Sequence, residues 1–153
     1  FLIACYAMFA FVVYQAFPKH FLKIAAAGAL IFLITDQVSA HLIKPFFQRL
    51  RPCNDHHVVF RLIIEHCGSG FSFVSAHATN SFGMATFLSV FLFRQRATVV
   101  TLIVWATLVS FSQVYVGIHY PGDVMAGGVL GIIIGSIIGL ISKKIISPTQ
   151  TNP

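Results

Sequence analysis

His119 and Asp123 stand four residues apart in the stretch HYPGD, just before a long apolar segment. Pro121 suits the first turn of a helix, and Asp123 would lie in that turn, where the helix dipole favours a carboxylate. A carboxylate within reach of one imidazole nitrogen fixes the ring tautomer and leaves the other nitrogen free as a nucleophile or base. The alternative is a capping aspartate beside an ordinary loop histidine.

A second polar stretch, FVSAHATNS, covers residues 73–81. Ser75 is a good N-cap for a helix that follows it. The free amides of Ser75, Ala76 and His77 would then point at an anion placed there. His77 lies in that first turn, where it can give or take a proton. The alternative is a helix cap plus an interfacial histidine.

A third stretch, KPFFQRLRP, covers residues 44–52 and brings two cations close to apolar residues. Lys44 and Arg51 would make a phosphate clamp in which arginine supplies a planar fork of donors. The alternative is snorkelling, in which basic residues at a helix end reach for the membrane interface.

The elements that position these stretches are predicted to be transmembrane helices. Of 153 residues, 57% are hydrophobic and 9% are charged, whereas soluble domains carry about a quarter charged residues. The composition predicts an all-α polytopic bundle forming a single domain over residues 1–153. The chain is apolar from Phe1 onward, so we expect that it lacks an N-terminal segment of the natural protein. Five predicted spans, each near the bilayer length, cover residues 1–17, 22–43, 75–93, 97–117 and 122–142.

The net charge of +6 comes from short basic clusters between apolar segments. This distribution favours anionic lipid headgroups and phosphates as partners and argues against nucleic acid. By the positive-inside rule one end of the bundle faces the cytoplasm, and the three polar stretches lie at the opposite end. The cytoplasmic cations are Lys19, Lys23, Arg94, Arg96, Lys143 and Lys144.

Two features lie inside the predicted spans. Gly131, Gly135 and Gly139 follow a four-residue spacing that favours close helix packing in lipid. Asp36 shares a helix face with Lys44, so it is either a group supporting the site or a buried hydrogen-bonding partner between helices.

The loop over residues 53–72 carries cysteines and histidines. Cys53 and Cys67 either form a disulfide in an oxidising compartment or remain free thiols. The remaining titratable residues match no standard zinc spacing, so we predict no metal site. These residues are His56, His57, Glu65 and His66.

In this order and on one side of a membrane, the three polar stretches resemble the phosphatidic acid phosphatase type 2 superfamily. That superfamily includes bacterial membrane lipid phosphatases, glucose-6-phosphatase and vanadium haloperoxidases, and its motifs are K-x6-R-P, P-S-G-H and S-R-x5-H-x3-D. Here the motifs read KPFFQRLRP over residues 44–52, VSAH over 74–77 and SQVYVGIHYPGD over 112–123. The chain looks most similar to small bacterial phosphatases that act on lipid phosphates or polyprenyl diphosphates such as undecaprenyl diphosphate.

The resemblance implies a reaction and a set of roles. His119 attacks phosphorus to form a phosphohistidine, Asp123 orients His119, and His77 protonates the leaving oxygen and then activates water. No metal or cofactor is required. It also implies a phosphatase/haloperoxidase-like core, usually with six spans against five here, in a bacterial inner membrane with the site facing the periplasm. The residues expected to hold phosphate oxygens are Lys44, Arg51, Ser75, Ala76 and Gln113.

The chain departs from the family motifs at Val74, at Ala76 and, most seriously, at Gln113, where the family has arginine. Losing a charge-assisted hydrogen bond would weaken transition-state binding by about 1.5–3 kcal/mol, which is roughly 10- to 150-fold in rate. Gln113 is either natural in a weaker enzyme, an engineered change, or compensated by Arg49 or Arg61. The alternative function is a weakly active or non-catalytic binder of lipid phosphates.

Overall fold

The computed structural model describes residues 2–55, 67 and 70–146, and this part of the chain contains helices and no β-strand. Short 3-10 turns cover Pro18–His20 and Pro52–Asn54, and a π-helical turn covers Val38–Ile43. The α-helices are α1 (Leu2–Ala16), α2 (Phe21–Gln37), α3 (Lys44–Phe47), α4 (Ala76–Leu92), α5 (Arg96–Tyr115) and α6 (Pro121–Ile146).

The helices coincide with the predicted spans, which confirms the all-α bundle. Three described segments are long and apolar enough to cross a bilayer: Pro18–Asn54, Arg96–Tyr115 and Pro121–Ile146. The helices α1 and α4 have 15 and 17 residues, fewer than the roughly 20 that a bilayer requires. Their assignment as full spans therefore stays a prediction.

The π-helical turn Val38–Ile43 joins α2 to α3 and changes the register of the residues that follow it. Asp36 and Lys44, which the sequence placed on one helix face, interact electrostatically across this turn. The short α3 is followed by Gln48, whose φ of 47° is left-handed. This conformation terminates the helix and turns the chain back over the end of the bundle.

The helix α4 lies at the centre of the bundle and packs against α2, α5 and α6. Its apolar side chains Phe87, Leu88 and Leu92 are buried, and they meet the buried Ile24 and Ile31 of α2. The surrounding helices expose large apolar residues on their outer faces, as expected of helices that face lipid. Because α4 is buried at the centre of the bundle, it holds the VSAH stretch at its start in a fixed position.

The glycine spacing of α6 produces its close contact with α4. A methyl group placed on Gly131 would lie 2.3 Å from the carbonyl oxygen of Thr79, and one on Gly135 would lie 2.3 Å from that of Gly83. No side chain fits at such distances, so the two backbones touch. The predicted small-residue packing is confirmed, and it extends to Gly127 beside the carbonyl of Ser75.

Gly131→Ala is expected to destabilise the bundle by about 1–3 kcal/mol, the usual range for overpacking, because α6 must move away from α4. The midpoint of thermal unfolding in detergent would measure the change. Gly122→Ala is the matched control, since a methyl group there meets nothing within 4 Å. Equal midpoints for the two variants would contradict the close packing.

Candidate active site

The end of α5 positions His119 through a glycine turn. Gly117 has a φ of +82°, a conformation that disfavours residues with a side chain. The amide of Gly117 donates to the carbonyl of Val114 (3.0 Å), and that of Ile118 donates to the carbonyl of Gln113 (3.2 Å). This is a Schellman arrangement. The amide of His119 also donates to the Gln113 carbonyl, at 3.2 Å, so the histidine backbone is anchored directly after the helix.

The start of α6 positions Asp123. Pro121 opens the helix and Asp123 lies in its first turn, as the sequence predicted. The amide of Tyr120 donates to Oδ2 of Asp123 at 3.0 Å. The backbone carbonyl of Asp123 accepts from the amide of Ser75 at 3.0 Å. The beginnings of α4 and α6 are therefore joined next to the carboxylate.

His119 and Asp123 are both buried, with 3% and 0% of their surface exposed. Nδ1 of His119 lies 3.7 Å from Oδ2 of Asp123, which is longer than a hydrogen bond. The hydroxyl of the fully buried Ser72 donates to the same Oδ2 and lies 3.4 Å from Nδ1 of His119. The predicted histidine–aspartate pair is thus formed with a serine between its members.

Arg49 binds the other carboxylate oxygen. Its Nη1 lies 2.9 Å from Oδ1 of Asp123, and its side chain is 46% exposed. The guanidinium also stacks 4.0 Å above the ring of Tyr120, an arrangement favourable for cation–π attraction. The hydroxyl of Tyr120 donates to Asp55 at 3.0 Å. The loop that follows α3 is therefore attached to the His119 turn at two points.

Lys44, Arg51 and His77 lie close to one another at the same end of the bundle. Arg51 is buried, and its Nε donates to the carbonyl of Gly70 at 3.4 Å. His77 interacts electrostatically with His119, Lys44 and Arg51. The structure brings together the side chains that the three motifs predicted, although their roles in binding and catalysis stay predictions.

Ser75 caps α4, which confirms the predicted N-cap. Its hydroxyl oxygen accepts from the amide of Ala78 at 3.4 Å, and its carbonyl accepts from the Thr79 hydroxyl at 2.9 Å. One expectation changes, because the Ser75 amide is already bonded to Asp123. The first-turn amides of Ala76 and His77 are those left to face an anion.

Burial lowers the pKa of His119 below its usual value, and the nearby Asp123 carboxylate opposes this only in part. The positive charges of Arg51 and Lys44 act in the same direction as burial. The imidazole is therefore neutral at pH 7, which is the state in which a ring nitrogen can attack phosphorus.

Gln113 lies beside the site but does not act as a charged ligand. Its Nε2 donates to the hydroxyl of Ser112 at 3.1 Å. Its Oε1 is buried and finds no hydrogen-bond partner among the described residues. Arg49, one of the two proposed substitutes, contacts Asp123, while Arg61 lies outside the described residues. A positive charge thus reaches the Asp123 carboxylate from a different part of the chain.

Cys53 and Cys67 form a disulfide, with their Cα atoms 5.8 Å apart. The sequence left open whether these cysteines are paired or free, and the structure shows them paired. The histidines and glutamate considered for metal binding lie outside the described residues, and these are His56, His57, Glu65 and His66.

Sequence reasoning missed Ser72 and the contacts of Tyr120 and Asp55. Ser72 belongs to none of the motif positions on which the assignment rested, and nothing in its spacing predicts a contact with residues 119 and 123. Its proximity depends on how the loop before α4 crosses the first turn of α6.

Known proteins resemble this chain in sequence and in fold. Residues 21–146 match the PAP2 superfamily. The chain is 34% identical over 152 residues to the lipid A 4'-phosphatase of Bacteroides thetaiotaomicron, covering 95% of this chain and 67% of that protein. It is 34% identical to the same enzyme of Porphyromonas gingivalis, covering 84% of this chain and 55% of that protein.

Two Bacillus subtilis proteins extend the comparison. Its undecaprenyl-diphosphatase is 33% identical over 117 residues, covering 76% of this chain and 55% of that protein. The crystal structure of its transmembrane PAP2-type phosphatidylglycerolphosphate phosphatase superposes with a TM-score of 0.69 at 21% identity. That match covers 97% of this chain and 72% of the crystallised chain, and it shows that the folds are the same.

Proposed function

The chain belongs to the PAP2 superfamily, and from that premise we propose that it removes phosphate from a membrane lipid through a phosphohistidine intermediate. The observation that carries this proposal is the buried His119, whose Nδ1 faces Ser72 and Asp123. With Nδ1 engaged, Nε2 is the nitrogen available for chemistry. The relatives of this chain are named lipid phosphatases, which supports the same class of reaction.

The proposed reaction has two steps. Nε2 of His119 attacks phosphorus, the bond from phosphorus to the leaving oxygen breaks, and His77 donates a proton to that oxygen. His77 then takes a proton from water, which attacks the phosphohistidine and releases inorganic phosphate. Asp123 stabilises the positive charge that develops on the imidazole. The surrounding cations stabilise the charge on the phosphoryl oxygens.

The phosphate-binding assignment rests on position and charge. Lys44 begins α3 and Arg51 follows α3, and both interact electrostatically with the two histidines. Arginine offers a planar fork and lysine a compact charge, and the two suit a phosphate group. The first-turn amides of Ala76 and His77 add uncharged donors at a helix N-terminus.

An apolar groove of about 490 Å³ beside the site supports an amphiphilic substrate. The groove runs between α5 and α6, and two of its lining residues, Pro121 and Val124, adjoin Asp123. We propose that the phosphate binds among the cations while the hydrocarbon tail occupies this groove. Its other apolar side chains include Phe82, Phe111, Val114, Met125 and Val129.

Four lipid phosphates are candidate substrates. A polyprenyl diphosphate is our first candidate, because the chain resembles an undecaprenyl-diphosphatase. Lipid A phosphate, phosphatidylglycerophosphate and phosphatidic acid are the others, and similarity to two lipid A 4'-phosphatases favours the first of these three.

The protein is an integral membrane protein, and we propose that it lies in a bacterial inner membrane with the site facing the periplasm. The basic clusters lie at the end of the bundle opposite the site, where Nζ of Lys143 donates to the carbonyl of Val90 at 2.9 Å. The positive-inside rule assigns that end to the cytoplasm. The disulfide near the site suits an oxidising compartment.

Phosphate release in detergent with a chelator present would test the proposal. We expect release from at least one of the four lipids above and no loss of activity on chelation. Absence of release from all of them, while the protein still binds the lipids, would indicate the non-catalytic binder instead.

Val129→Trp is expected to raise KM for a long-chain lipid phosphate about tenfold, because the indole would fill the groove and exclude the tail. KM for a short-chain, water-soluble phosphate should stay within twofold. Val100→Trp is the matched control, since Val100 is 61% exposed on α5 and lies outside the groove. Equal KM values for the long-chain lipid in both variants would contradict the groove assignment.

A further inference from the structure

We propose that Ser72 is a positioning residue that couples Asp123 to His119 and selects the ring tautomer in which Nε2 carries the free lone pair. The inference rests on the proposed function, and it adds a group outside the motif residues to the mechanism. Ser72 would touch neither the substrate nor the phosphoryl group. It acts through His119.

The first step of the argument is the distance between the pair. At 3.7 Å, Nδ1 of His119 is too far from Oδ2 of Asp123 for a good direct hydrogen bond. The Ser72 hydroxyl contacts both atoms, lying within hydrogen-bonding distance of Oδ2 and 3.4 Å from Nδ1. The serine therefore provides a hydrogen-bonded connection between the two groups.

The second step is a count of protons. An ionised carboxylate has no proton and can only accept, so the single hydroxyl proton of Ser72 must be donated to Asp123. The hydroxyl oxygen can then only accept from His119. In the neutral ring this places the proton on Nδ1 and leaves the lone pair on Nε2. The direction of one hydrogen bond thus decides which nitrogen attacks.

The third step is that this direction cannot easily reverse. Arg49 binds Oδ1 of Asp123 at 2.9 Å and the Tyr120 amide donates to Oδ2, so the carboxylate is held ionised and in a fixed orientation. Ser72 is fully buried, and its amide donates to the carbonyl of Arg49 at 2.7 Å. Both the donor and the acceptor are therefore held by Arg49 and Tyr120, which belong to two separate loops.

The kinetic test replaces Ser72 in the full chain in detergent, with the most active lipid phosphate as substrate. Ser72→Ala is expected to lower kcat about 100-fold, which is typical when a reacting group loses its orientation. KM should stay within twofold, since the serine does not bind the lipid. Ser72→Thr keeps the hydroxyl and is expected to recover most of the lost rate. Ser89→Ala, whose hydroxyl bonds to its own helix at Ala85, is the control.

The spectroscopic test does not depend on turnover. With ¹⁵N-labelled histidine, the two ring nitrogens of His119 give separate shifts that report which one is protonated, and His119→Asn identifies the signals. We expect one tautomer, protonated at Nδ1, in the unmodified protein and in Ser89→Ala. In Ser72→Ala we expect a mixture of tautomers, because the acceptor for Nδ1 is gone.

The outcomes separate the two proposals. An unchanged His119 tautomer in Ser72→Ala would overturn the role of Ser72, and so would a kcat within twofold of the unmodified protein. A tautomer shift in a protein that releases no phosphate from any lipid would support the coupling while refuting the phosphatase function. A shift together with loss of kcat and rescue by Ser72→Thr would support both.

Discussion

His119→Asn is expected to reduce phosphate release by about 10⁴-fold or more, the scale seen when a catalytic group with a tuned tautomer is lost. Asparagine retains a polar side chain in the buried site but has no nucleophilic nitrogen. Release of inorganic phosphate from the preferred lipid, measured in detergent, would give the ratio. His20→Asn is the control, because His20 lies in the turn between α1 and α2, at the opposite end of the bundle.

Trapping the phosphohistidine intermediate would test directly whether His119 is the nucleophile. With a ³²P-labelled substrate whose leaving group departs without a proton, His77→Asn should accumulate an acid-labile protein label, because the group that activates water is missing. The double variant His77→Asn/His119→Asn should carry no label. A label that persists without His119 would assign the nucleophile to another residue.

Gln113→Arg is expected to raise kcat/KM about 10- to 150-fold, because a charge-assisted hydrogen bond to the phosphoryl group is worth about 1.5–3 kcal/mol. Oε1 of Gln113 is buried and lacks a partner among the described residues, so the substitution also removes an unsatisfied buried acceptor. Gln95→Arg, in the loop between α4 and α5, is the control for added charge.

The rise in kcat/KM of Gln113→Arg depends on whether Arg49 already supplies the missing positive charge. If Arg49 already compensates for Gln113, Arg49→Gln will lower kcat/KM, and adding Gln113→Arg to that variant will restore it. A rate that does not rise in Gln113→Arg, in a protein with no measurable turnover, would contradict the view that Gln113 is a weakened ligand and favour the binder.

Helix boundaries near the site were predictable because they depend on neighbouring residues. Ser75 caps α4 and Pro121 opens α6 as expected, since caps and first turns are determined within a few residues. The glycine spacing of α6 likewise predicted its close contact with a neighbour. The partner helix was not predictable, because identifying α4 required knowing how the helices of the bundle are arranged.

The π-helical turn Val38–Ile43 shows where local patterns fail. A π turn keeps the apolar character of a span and leaves no mark on its hydropathy, so the sequence did not predict it. The sequence also could not predict that Cys53 pairs with Cys67, because it does not reveal the distance between their Cα atoms.

The sequence by itself determined the chemistry available to this protein: two histidines, an aspartate and two cations in the order of three motifs, at one end of a membrane bundle. Only the tertiary structure decided what surrounds Asp123. Ser72 and Arg49 lie 51 and 74 residues from it in the chain, and their contacts arise where separate loops cross above the first turns of α4 and α6. Such contacts depend on packing across the whole bundle, which no local pattern encodes.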